Sequence, residues 1–164
     1  MTDEICNSTK LEHLTGYIVS HLNTNVLDNK MDAWQENGKL IISGEDRGND
    51  GILICYWRYR AVIRIEEFPH QQLNPYNLFA LIACWLSDYD SERDEDKDMD
   101  DPDLSVDVLS HDIADVAVEL DLMEPVEMIP DPLGMISYKG QTYRVQSVPI
   151  DTAEDAELVN ETAD

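Results

Sequence analysis

Apolar residues in this chain recur with two periods, and the change from one to the other marks out the elements. Leu11, Leu14, Ile18, Val19 and Leu22 fall at helical spacing. Thr9 followed three residues later by Glu12 has the form of a capping box, so an amphipathic helix is expected from about residue 10 to 23. MDAWQ and KLIISG come next, separated by Glu36-Asn37-Gly38. Asn-Gly between two apolar-patterned runs predicts a hairpin turn. EDRGNDG, residues 45–51, concentrates turn formers and predicts a loop. Beyond it the period is two: Leu53, Cys55, Trp57, Tyr59, Ala61, Ile63 and Ile65 alternate with Arg58, Arg60, Val62, Arg64 and Glu66. Such a strand buries one face and wets the other, so Arg58, Arg60 and Arg64 are expected side by side on the wet face.

Asn74-Pro75 has the form of a helix start, with Asn as cap and Pro at the first helical position. The run that follows, YNLFALIACWL, is apolar nearly all round and predicts a core helix covered on more than one side. Residues 88–103, DYDSERDEDKDMDDPD, are acidic enough to read as a solvated loop. LSVDVL and ADVAVELDL are expected as strands joined by SHDI. ISYKGQTYRV is expected as a hairpin turning at Lys139-Gly140, and EPVEMIPDPLG, with three prolines, as extended loop. The sum is an α+β domain with a mainly antiparallel or mixed sheet and two main helices on one of its faces.

Composition adds a charge problem. Of 164 residues, 35 are acidic and 11 basic, a formal net charge of -24. High affinity for nucleic acid needs lysine and arginine to displace counterions from phosphates, so direct binding of DNA or RNA is not expected. An apolar fraction of 43% supports a folded chain, read as one domain over residues 1–148 with an acidic loop at 88–103. Residues 149–164 carry six acidic and no basic side chains and read as a disordered tail. Cys6, Cys55 and Cys84 form no CxxC pair, and buried free thiols of a reducing compartment are expected. MTDEICNSTK lacks the features of a secretory signal, and the longest apolar run, residues 78–86, is too short to span a bilayer. A soluble cytoplasmic protein is the resulting expectation.

The search for reactive chemistry returns little. Asp94, Asp96, Asp98 and Asp100 alternate as early calcium ligands do, but the glycine needed at the sixth position of such a loop is missing from either frame. His13, His21, His70 and His111 show no zinc spacing. There is no GxSxG elbow and no glycine-rich phosphate loop. Ser110, His111 and Asp112 are adjacent turn residues and poorly placed for a triad. Asp115, Glu119 and Asp121 are explained as a wet sheet face without a glycosidase reaction. No catalytic residue, metal or cofactor is therefore expected. What remains is a basic strip (Arg58, Arg60, Arg64) and an acidic strip (Asp107, Asp115, Glu119, Asp121). They suit either head-to-tail contact between copies or ion pairing within one sheet, and the pattern alone leaves both open.

The order of features, with WQENGKL, YRAVIRIEEF, NPYNLFALIACWL and VDVLSHDIADVAVELDLMEPV in succession, resembles the phage tail completion protein R (GpR) family of contractile-tailed temperate phages over residues 11–126. The resemblance implies a non-enzymatic virion assembly role at the head-proximal end of the tail, a tail-terminator-like fold and a hexameric ring. The partners it implies are further copies of the chain, tail tube or sheath subunits and head–tail connector proteins. It places the protein in the host cytoplasm during assembly and in the virion tail afterwards. The rival reading from another class is an acidic mimic of DNA that inhibits a DNA-processing protein.

Overall fold

A computed structural model describes residues 9–22, 30–90, 93 and 99–146. The element order is α1 (Lys10–Leu22), β1 (Met31–Gly48), β2 (Gly51–Phe68), α2 (Pro75–Tyr89), β3 (Asp103–Val108), β4 (Ala114–Pro130), β5 (Ile136–Tyr138) and β6 (Gln141–Gln146). The strand order is β1-β2-β4-β6-β5, with β3 also paired to β4. The β3–β4, β4–β6 and β5–β6 pairs are antiparallel, so the α+β expectation holds. Chain contacts group into two compact units, between which β1, β2 and β4 are shared.

The first unit takes residues 10–36 and 60–122. Ala61, Ile63 and Ile65 of β2 and Ala114, Val116, Val118, Leu120 and Leu122 of β4 are buried, as period-two patterning requires. Leu11, Leu14 and Ile18 of α1 and Leu78, Ile82, Trp85 and Leu86 of α2 are buried as well. The helices meet through rings: the Trp85 indole N–H donates to His13 Nδ1 at 2.9 Å, and Tyr89 lies 4.7 Å from the His13 ring and 5.8 Å from that of Tyr17. Asn74 caps α2, its side-chain oxygen accepting from the Tyr76 N–H at 3.0 Å. One expectation fails here. α2 buries a single face, and Ala80, Ala83 and Cys84 on the other are exposed. Nothing in the apolar run itself distinguishes a helix covered twice from one covered once.

The second unit takes, of the described residues, Thr9, 37–59 and 123–146. It corrects the hairpin expected at Asn37-Gly38, because β1 runs straight through both residues. Gly38 is there for proximity: a Cβ at that position would strike the Arg58 carbonyl and come within 2.7 Å of the Trp57 ring. The turn falls instead at Asn49-Asp50, whose φ values of 53° and 66° are those of a type I′ hairpin, so residues 45–48, expected as loop, are strand. EPVEMIP also belongs to a strand, β4, whose residues 127–130 pair with β6. Pro125 precedes that paired stretch, so its missing N–H removes no bond to β6. The hairpin at Lys139-Gly140 is as expected, with φ values of 49° and 82°. The tail from residue 149 onward and Cys6 lie outside the described residues.

Candidate functional site

Arg60 is the centre of the charged face of the first unit. Its guanidinium donates from Nη2 to Asp103 at 2.7 Å and from Nη1 to Asp121 at 3.2 Å, and its Nε stands 3.6 Å from Glu119. Burial by itself would lower the Arg60 pKa, but the hydrogen bonds and negative charge of Asp103 and Asp121 raise it above its ordinary value. The cation is therefore permanent. Each half-exposed cross-strand pair is worth a few tenths to about 1 kcal/mol.

The sequence-predicted strips thus converge for Arg60, Glu119 and Asp121, which meet inside one chain. The contact pairs 60–121 and 67–115 run in opposite senses along the two strands, as antiparallel neighbours must. Asp115 accepts the backbone N–H of Glu67 at 3.0 Å, and stands opposite Asp107 in the β3–β4 register. Arg64 is exposed and reaches Glu66 at 3.7 Å. Arg58 belongs to the second unit.

Three features were missed at the level of sequence. Asp103 completes the Arg60 cluster, and its signal was its place two residues before Ser105 and four before Asp107 on an alternating strand. Asp90, at the end of α2, is buried with Lys10: their side chains meet at 2.7 Å, and Arg93 Nη1 donates to the other Asp90 oxygen at 2.8 Å. Arg93 also donates to the backbone carbonyls of Asp121 and Asp100, and Met99 is buried. The segment expected as a solvated loop over 88–103 is thus held at Asp90, Arg93 and Met99, while Asp88, Asp100, Asp101 and Asp103 are exposed and residues 91, 92 and 94–98 lie outside the described residues. The third feature is Trp34, which is 40% exposed on β1. Cys84 is exposed where a buried thiol was expected, whereas Cys55 is buried.

Among the described residues no group of His, Cys, Asp or Glu could hold a metal ion, although Asp94, Asp96 and Asp98 lie outside them. No helix among them is long and apolar enough to cross a membrane.

What the surface offers is a mixed-charge sheet face and exposed strands, which is contact chemistry on an α+β frame. Comparison with protein families matches residues 8–147 to the family described as P2 phage tail completion protein R (GpR). The chain belongs to that family, and with it to the proteins of the phage tail. A relative in Haemophilus phage HP1 (strain HP1c1), named "Uncharacterized 19.2 kDa protein in rep-hol intergenic region", is 28% identical over 127 residues, covering 77% of this chain and 76% of that protein. No solved structure matches the chain.

Proposed function

We propose that the protein completes the head-proximal end of a phage tail and makes it competent to join a head, acting as a ring, hexameric as in tail terminators. The observation that carries the reading is the family match, which extends over residues 8–147 and so over nearly all of the described chain. In this reading the protein catalyses no reaction. Its partners are further copies of itself, the tail tube or sheath and the head–tail connector, met during assembly in the host cytoplasm.

The charged face supports a contact role within this scheme. Arg64, Asp107 and Glu119 are exposed and within reach of charges on a neighbour, Arg64 and Glu119 being held only by longer contacts of 3.7 and 3.6 Å, whereas Arg60 and Asp121 are hydrogen-bonded to each other. Contacts with a neighbouring copy or with a tube or sheath subunit are therefore assigned to the outer residues of the face, with Arg60 holding the strands that carry them. The alternative, a DNA mimic, has the net charge of -24 in its favour.

The test is electron microscopy of lysates from phage lacking the gene, with and without the protein supplied in trans. Full heads beside unattached tails, rescued to whole virions by the added protein, are expected. Normal virions without it would remove the proposal and leave the mimic to be pursued.

A further inference from the structure

Strand β3 pairs with β4 and, among the described residues, with no other strand. Its register sets Leu104, Val106 and Val108 opposite Val118, Val116 and Ala114. Residues directly opposite in an antiparallel pair share a face, so all six belong to the apolar face of the sheet. The three on β4 are buried, but Leu104, Val106 and Val108 are 36%, 44% and 62% exposed. The apolar face therefore continues past its cover. Beside it lies a groove of about 420 Å³ whose apolar lining is Phe79, Ile82, Ala83, Leu86, Pro102 and Leu104, with Ser87, Arg93 and Asp101 completing it. One wall is α2, and it is the wall that carries the exposed Ala83.

An open strand edge beside a half-covered apolar face is completed by one more strand. The edge supplies the unpaired N–H and C=O groups for a ladder, and every second side chain of the incoming segment enters the groove. The six residues of β3 offer room for a segment of about 20 Å, at roughly 3.3 Å per residue.

The opposite face sets the chemistry of that segment. Asp103, Ser105 and Asp107 alternate with the apolar residues and so point to the wet side. Asp107 stands directly opposite Asp115, a like-charge pair that is unfavourable in a sheet, and the Asp103 side chain is 78% exposed despite its bond to Arg60. An added strand places its outward residues beside Asp103 and Asp107, where basic side chains are attracted and acidic ones repelled. A second copy is a poor occupant. The other edge of this unit is β1, whose Met31 and Ala33 line a groove with α1. Its wet side is therefore Asp32, Trp34 and Glu36, which would bring two more carboxylates against those of β3.

We propose that the edge of β3 and the groove beside α2 receive an extended segment, alternating apolar and basic residues, from a protein other than a second copy of this chain. The assignment stands independently of the tail reading.

The test titrates the ¹⁵N-labelled full chain with three short probe peptides: one alternating valine and lysine, one alternating valine and glutamate, and one of the first composition with its alternation scrambled. The alternating valine–lysine peptide is expected to move the amide resonances of residues 104–108, Phe79 and Ala83 and to bind less tightly as salt is added. Both Val106→Lys and Asp107→Lys are expected to weaken it tenfold or more. If Val106→Lys loses its native circular dichroism, Val108→Lys, at the more exposed position, replaces it. Failure of the peptide to bind, equal binding of the scrambled or the acidic peptide, shifts confined to other surfaces, or unchanged affinity in the variants would each overturn the proposal. So would sedimentation showing that the chain self-associates and that Val106→Lys abolishes it, since the occupant would then be a second copy.

Discussion

Asp90→Ala is the substitution from which the buried charges can be read most directly. Asp90 is 2% exposed and Lys10 4%, and the carboxylate accepts from Lys10 Nζ at 2.7 Å and from Arg93 Nη1 at 2.8 Å. Removing it takes from the buried Lys10 ammonium a carboxylate 2.7 Å away, while Arg93 keeps the carbonyls of Asp121 and Asp100. Breaking a buried pair by deleting one partner costs about 3–5 kcal/mol, because the surviving charge loses a compensating charge without regaining water. At the 2–4 °C per kcal/mol typical of chains this size, the melting temperature should fall by about 10 °C. Asp90→Asn, which keeps two acceptor or donor positions and the volume, should cost less. Lys10→Met should cost least, since Asp90 then retains Arg93 and the lysine stem is replaced by one of similar shape. Urea denaturation followed by tryptophan fluorescence and circular dichroism measures all three, with equal slopes as the check that the unfolded states are comparable. If Asp90→Ala loses less than about 1 kcal/mol, or if Lys10→Met costs as much, the Asp90 carboxylate does not hold the two buried cations as described, and the reasoning fails.

Other expectations follow from single contacts. Gly38→Ala should cost about 1–3 kcal/mol in the same denaturation assay, since the methyl has only the Arg58 carbonyl and the Trp57 ring to displace; an unchanged midpoint would mean that β1 does not lie against them. Tyr59→Phe removes the hydroxyl that donates to Glu124 at 2.6 Å and should cost about 1.5 kcal/mol, the lower end for a bond to a charged group, because the carboxylate is only part-buried. In a Cys6→Ser background, a thiol reagent at mildly alkaline pH should modify Cys84 quickly and Cys55 only on unfolding. Cys84 is exposed, whereas burial raises the Cys55 pKa and so depletes its thiolate; rapid loss of two thiols from the folded protein would contradict this.

How far the chain could be read in advance depended on whether a feature was local. The first helix, the Asn74-Pro75 start of the second, the alternation of β2 and the turn at Lys139-Gly140 all rest on residues within one or two turns of each other, and all are found where the pattern puts them. Asn37-Gly38 and Asn49-Asp50 show the limit. Both are turn-forming pairs, and only the packing of Gly38 against Trp57 and Arg58 decides that the chain goes straight at the first and reverses at the second.

The charged residues divide the same way. Alternation alone determined that Arg60, Asp115, Glu119 and Asp121 face water, because a strand with one apolar face has no other place for them. It could not determine whom they face. That Arg60 meets Asp121, 61 residues away, and that Lys10 is buried against Asp90, 80 residues away, was decided by strand order and helix packing. The open edge of β3 is of the same kind. Leu104, Val106 and Val108 read as ordinary inward residues of a strand, and only the position of that strand, last beside β4 with no second neighbour among the described residues, leaves them exposed. Periodicity follows from the geometry of each backbone segment by itself, whereas partners and edges exist only once distant segments have been brought side by side.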